Sequence, residues 1–246
     1  MINYHKNTQK RGEPTLNPKK ITVVSGHYGS GKTNFAVNYA LRIKELFPQR
    51  IVSVADVDIV NPYFRTADAK DFLVKAGVVP LIPEFANSNV DIPSLPHQLT
   101  ALFSGTMGEN EHTVIDVGGD DGAVALGRYA RQLNALDYDM IYVVNQYRPL
   151  TADARDAAEL MREIEGISGL RCTAVVNNSS LGAETTAEDI IDSVEYAKEC
   201  AALCALPLWY HGYYEELLPN LPEEFRKAGL DPESLFPMRN VTKKLF

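Results

Sequence analysis

Short apolar runs alternate with longer stretches of helical periodicity along most of this chain. Ile21–Ser25, Ile51–Val54, Val78–Ile82, Thr113–Val117, Met140–Val144, Cys172–Val176 and Leu206–Tyr210 read as strands, rich in β-branched residues and too short for helices. They are apolar almost throughout rather than at every second position, as in a sheet covered on both faces. Asn34–Phe47 carries Phe35, Val37, Tyr39, Ala40, Ile43 and Leu46 near helical spacing, and Pro48 closes it. Gly122–Leu136, Ala152–Ile164 and Ala187–Leu203 are likewise long enough to cross between parallel strands. The alternation predicts an α/β fold: a single doubly wound, mostly parallel sheet of about seven strands.

Composition narrows the setting. At 246 residues, 45% hydrophobic, with no linker, repeat or low-complexity stretch, residues 19–246 read as one domain. Residues 1–18 are polar, lack the apolar centre of a secretory signal and read as a flexible N-terminal arm. No run approaches the roughly 20 apolar residues that a bilayer requires. Cys172, Cys200 and Cys204 form an odd, sparse set, which fits reduced thiols and a cytoplasmic location. Cys200 and Cys204 stand one helical turn apart and read either as a metal or redox pair or as small buried side chains in an Ala/Leu-rich stretch. With 32 acidic against 24 basic residues the net charge is −8, which argues against a nucleic-acid partner.

The strongest chemical signal is Gly26–Thr33, GHYGSGKT, a full match to G-x-x-x-x-G-K-S/T set between a strand and a helix. Glycines let backbone N–H groups turn inward around the α- and β-phosphates, a lysine reaches the β/γ oxygens, and a hydroxyl ligates Mg²⁺. Gly26, His27, Tyr28, Gly29, Ser30, Gly31, Lys32, Thr33 and Asn34 are therefore the expected phosphate-binding element, against the alternative of an ordinary glycine turn. A helix N-terminus aimed at the anion adds to the attraction.

Three further motifs lie at strand ends, where open α/β sheets bind ligands. Asp56-Val57-Asp58 offers two carboxylates, one to hold Mg²⁺ through water and one to orient or deprotonate an attacking water; the alternative is a solvated pair in a turn. Asp116 ends an apolar strand as a second Mg²⁺ contact does, and Gly118-Gly119 follows it as a backbone able to sense a γ-phosphate; an Asp cap for the next helix is the alternative. Asn177, in Val176-Asn177-Asn178, is either a base-reading amide or a turn former. No Asn-Lys-x-Asp occurs, so ATP is favoured over GTP.

With the phosphate loop, DVDIVNPYFR and DVGGDDGAVALGRY in this order, Ile21 to Tyr210 resembles the CobQ/CobB/MinD/ParA nucleotide-binding family, a phosphate-loop NTPase class that includes nitrogenase iron protein, and within it an ATP-binding branch. The resemblance implies catalytic roles for Lys32 on the phosphates and Asp58 near the attacking water. It implies Mg²⁺ held by Thr33, Asp56 and Asp116, a γ-phosphate sensor at Gly119, adenine contact at Asn177, and a loop after Leu208 that closes over the base. The implied function is a Mg²⁺-dependent ATPase, a nucleotide-driven switch on an unidentified protein partner, in maturation or metallocentre assembly. The alternative on the same fold is an ATP-dependent synthetase or kinase for a small carboxylic acid, like dethiobiotin synthetase. A third is a module that binds ATP only for recognition.

A homodimer is a possible partner state, yet many MinD/ParA members carry a lysine after the first glycine that crosses to the other subunit's phosphates, and here His27 stands there. Imidazole is shorter and does not supply the same fixed charge. Arg65, Arg128 and Arg131 are the candidate replacements. Pro80–Pro96 reads as a long irregular connection, either a lid or a plain cover. Met238–Phe246 mixes basic and apolar residues, but too few apolar ones to favour a membrane over a solvated or packed terminus.

Overall fold

The computed structural model describes residues 16–57, 70–81 and 107–241, the side chains of 119–121 apart. Its strands are β1 (Ile21–Ser25), β2 (Ile51–Asp56), β3 (Val78–Leu81), β4 (Glu111–Asp116), β5 (Tyr138–Val144), β6 (Ala174–Asn177), β7 (Leu208–Tyr214) and β8 (Leu235–Met238). They form one sheet in the order β3-β2-β4-β1-β5-β6-β7-β8, and every neighbouring pair is parallel. All their C-terminal ends therefore lie along one edge.

Helices connect them: α1 (Lys32–Leu46) after β1, α2 (Lys70–Lys75) before β3, then α3 (Gly119–Gly127) and α4 (Ala130–Asn134) after β4. They are followed by α5 (Ala154–Ser168), α6 (Ala187–Cys204) and α7 (Leu221–Lys227), one after each of β5, β6 and β7. The pleat sends alternate side chains to opposite faces. Ile21, Val23, Ile115, Met140, Tyr142 and Val144 pack with Leu126, Met161 and Ala197 of α3, α5 and α6. Val24, Val52, Val54, Val114, Ile141 and Val143 pack with Phe35, Val37 and Ile43 of α1 and Leu73 of α2. Leu16 is buried in this second cluster, ahead of the domain start expected at residue 19. Both faces are covered, so the sheet is doubly wound as its apolar strands required.

Two details differ from the expected pattern. Among the described residues the sheet has eight strands where about seven were expected, because Leu235–Met238 (LFPM) pairs with β7. A run of four residues containing Pro237 is a weak strand signal, since proline cannot donate to a ladder; this one is tolerated at the sheet edge. Phe236 holds it down, its ring 5.2 Å from Phe35 and 5.4 Å from Tyr210. The single helix expected over Gly122–Leu136 is two, broken at Arg128–Tyr129 after Gly127. A Cβ on Gly127 would stand 2.9 Å from the Ile167 carbonyl oxygen, so the chain passes tightly against the end of α5 there. Among the described residues no helix is long and apolar enough to cross a membrane.

Candidate nucleotide-binding site

The phosphate loop leaves central strand β1 at Ser25 and ends where α1 begins at Lys32. Gly31 is the N-cap in the left-handed region (φ 80°), α1 has no side-chain cap, and its first turn carries no acid. By contrast α6 is closed by a capping box, in which Thr186 N–H donates to Asp189 Oδ2 (2.7 Å) and Asp189 N–H to Thr186 Oγ1 (3.2 Å). An uncapped helix start leaves N–H donors for an anion. A side chain on Gly31 would collide with the Asn178 amide, so both φ and space demand glycine.

Lys32 and Thr33 are buried. Ser30 is buried too, and its Oγ has no hydrogen-bond partner among the described residues. A buried hydroxyl in that condition within a phosphate loop suits an incoming phosphate oxygen. His27 is half-buried and accepts the Ser30 N–H at its carbonyl (3.1 Å), whereas Tyr28, 64% exposed, projects from the tip.

Asp56 and Asp116 end β2 and β4 as direct register partners, and both are buried. Parallel partners stand about 4.8 Å apart and point to the same face, so the carboxylates are neighbours. Val117 N–H bonds the Val24 carbonyl oxygen (3.0 Å), which fixes this corner beside the start of the phosphate loop. Two buried carboxylates in register, with a threonine hydroxyl at the adjacent helix start, are the oxygen donors that a hard divalent cation takes. Such a cation would also relieve repulsion between the two carboxylates. The residues thus fit Mg²⁺. Gly118 is the N-cap of α3 and Gly119 its first residue, next to this corner. Asp58 lies outside the described residues, as do Arg65, positions 82–96 of the irregular connection read over Pro80–Pro96 and 242–246 of the tail.

Asn177 does not fit a base-reading role. Its Oδ1 accepts from Ser179 N–H (3.1 Å) and Ser179 Oγ (2.7 Å), while Nδ2 reaches Ser193 Oγ (2.8 Å) and His211 Nδ1 (2.9 Å). All four bonding positions of the amide are used within the fold. Neighbouring Asn178, which the motif reading passed over, bonds the phosphate loop instead, donating from Nδ2 to the Ser30 carbonyl oxygen at 2.7 Å. Its orientation rests on a contact 148 residues away in sequence, which no local pattern encodes. Asn34 also turns elsewhere: Nδ2 donates to Tyr214 Oη (2.5 Å) and Oδ1 accepts Val241 N–H (3.2 Å). Asn38 brackets Arg239, accepting its N–H (2.8 Å) and donating to its carbonyl (2.9 Å), so the backbone of the tail's start is held on α1.

Arg128 and Arg131 are exposed beyond the far end of α3. Nine residues of helix from Gly119 span about 13 Å, and Gly127 abuts the end of α5, which leads to the opposite sheet edge. Neither arginine belongs to the phosphate-loop edge. Cys172 and Cys200 are buried in the core cluster and half-buried Cys204 packs against it, and burial raises all three thiols, Cys200 to about 12.

The fold and this loop define an α/β phosphate-loop NTPase architecture. Neither a protein-family model nor a curated protein matches the chain. Among solved structures it is similar to chloroplast FtsY from Physcomitrella patens, at 13% identity and TM-score 0.51, covering 83% of this chain and 62% of that one. FtsY from Mycoplasma mycoides matches at 15% identity and TM-score 0.51, over 82% and 62% of the two chains. The signal recognition particle receptor FtsY from Elizabethkingia anophelis in complex with GDP matches at 19% identity and TM-score 0.46, over 84% and 61%. The chain thus spans about three-fifths of these neighbours' length, and at such identities the likeness is one of fold.

Proposed function

We propose that this chain is a Mg²⁺-dependent ATPase of MinD/ParA-like type, a nucleotide-driven switch that acts on a protein partner. The observation that carries the reading is the meeting, at one strand edge, of an uncapped GHYGSGKT loop with the register pair Asp56–Asp116. Lys32 and the helix start neutralise phosphate charge, and Thr33, Asp56 and Asp116 hold Mg²⁺, which when bound offsets charge on the β- and γ-phosphates. Asp58 orients the attacking water. The glycines opening α3 change their backbone conformation as the γ-phosphate comes and goes, which alters the surface that a partner meets. Adenine rather than guanine is supported by the residue that ends β6, Asn177, and those that follow it, Asn178-Ser179-Ser180, which together are not an Asn-Lys-x-Asp.

The test is phosphate release from ATP and GTP with Mg²⁺ or excess chelator. Mg²⁺-dependent turnover of ATP is expected, with Lys32→Ala slowing it about a hundredfold or more. Absence of ATP binding in the wild type, or equal turnover in Lys32→Ala, would overturn the reading. Capture of a partner only with a non-hydrolysable ATP analogue supports the switch. A ligated or phosphorylated small acid in a metabolite mixture would identify a synthetase or kinase instead.

A further inference from the structure

No sequence motif includes Arg148, yet the fold lays its side chain on the phosphate loop. It follows β5, the neighbour of β1, and its Nε–H donates to the Gly29 carbonyl oxygen at 2.9 Å. A Cβ on Gly29 would stand 3.1 Å from Arg148 Nε and 3.3 Å from Cζ, so the guanidinium rests directly against the bare glycine. Gly29 has φ 80°, a second reason for glycine. The same peptide is held at its other end, because the Ser30 N–H donates to the His27 carbonyl oxygen (3.1 Å). Oxygen and hydrogen of a trans peptide point in opposite directions, so these two bonds together fix its plane. A carbonyl engaged by Arg148 does not rotate into the loop, where its oxygen would oppose an anion.

Arg148 is itself well anchored. Its N–H donates to the Asn145 carbonyl oxygen (3.2 Å) and its carbonyl accepts Thr151 N–H (3.0 Å). Asn145 is buried and tied across to β6's exit by Nδ2 to the Ser180 carbonyl oxygen (3.2 Å) and by Ser180 N–H to Oδ1 (3.3 Å). The donor therefore sits on a braced turn. The guanidinium is exposed, so its charge is screened by solvent, while the Nε–H bond depends on position alone.

We propose that Arg148 is a positioning residue that sets the shape of the phosphate-loop tip before ligand arrives, through its Nε–H rather than its charge. Its consequence for ATP affinity rests on the nucleotide-binding reading above; its effect on the loop does not. Three variants separate the possibilities. Arg148→Ala removes donor and charge. Arg148→Gln puts an uncharged amide N–H where Nε stood, and Arg148→Lys keeps the charge but puts a methylene there.

Amide hydrogen exchange over residues 26–33 of the ligand-free full chain reads the loop, and titration with ATP reads affinity. Exchange about fivefold faster in Arg148→Ala and near wild type in Arg148→Gln is expected. The ATP dissociation constant follows the same order, about fivefold weaker for Ala and less than about twofold for Gln. Wild-type exchange in Arg148→Ala, or restoration by Lys and not by Gln, overturns the proposal. Failure of wild type to bind ATP, with the exchange pattern intact, removes the nucleotide reading and leaves the loop-setting role standing.

Discussion

His211 makes acid sensitivity a calculable property of this fold. It is buried on β7, beside Phe225, and burial, with a smaller contribution from Lys198, lowers its imidazole from the ordinary 6.5 to about 4. Asn177 Oδ1 accepts both Ser179 donors, so its Nδ2 faces His211 Nδ1, which must accept and carry no proton. Protonation would set two donors against each other. Above about pH 6.5 the ring is neutral in both folded and unfolded chains and contributes no pH dependence. As pH falls from there toward about 4 the unfolded chain takes up the proton and the folded one does not, so stability is lost in that window. At about pH 5 the difference covers about 1.5 pH units at about 1.4 kcal/mol each, or about 2 kcal/mol. Urea unfolding of wild type and His211→Asn at about pH 7.5 and pH 5 measures it, with the variant expected to lose about 2 kcal/mol less on acidification. Equal losses in the two proteins would refute the reasoning.

Two substitutions test other parts of the structure. Gly31→Ala forces a side chain into the Asn178 amide at φ 80°. It should cost about 2 kcal/mol or more in thermal unfolding, and should weaken ATP binding by more than the stability loss explains. Phe236→Ala empties the aromatic contact with Phe35, Tyr39 and Tyr210 under β8. A loss of about 3–5 kcal/mol in chemical unfolding is expected; a loss under about 1 kcal/mol would mean that the edge strand is not part of the cooperative core.

The sequence by itself determined the layered architecture and the phosphate loop. Runs such as Met140–Val144 are apolar on both faces, and only a sheet covered by helices on both sides hides them. GHYGSGKT was legible as a tight loop between β1 and α1 because its geometry is local: glycines at fixed spacing permit the turn. Asp56 and Asp116 were legible because an apolar strand brings its last residue to the sheet edge wherever the strand sits.

Only tertiary structure decided what depends on neighbours distant in sequence. Asn177 and Asn178 are adjacent and chemically identical, yet one is saturated by Ser179, Ser193 and His211 while the other reaches Ser30. Pleating sends consecutive residues to opposite faces, and what waits on each face is set by strand order. The same holds for arginine. Arg128 follows a glycine-rich motif but is carried away along α3, whereas Arg148, in no motif, arrives at Gly29 because β5 lies beside β1. Strand β8 needed the aromatic floor laid by α1 and β7 before four residues with a proline became a strand. Local chemistry is written in spacing; partnership across the sheet is created when the strands take their places.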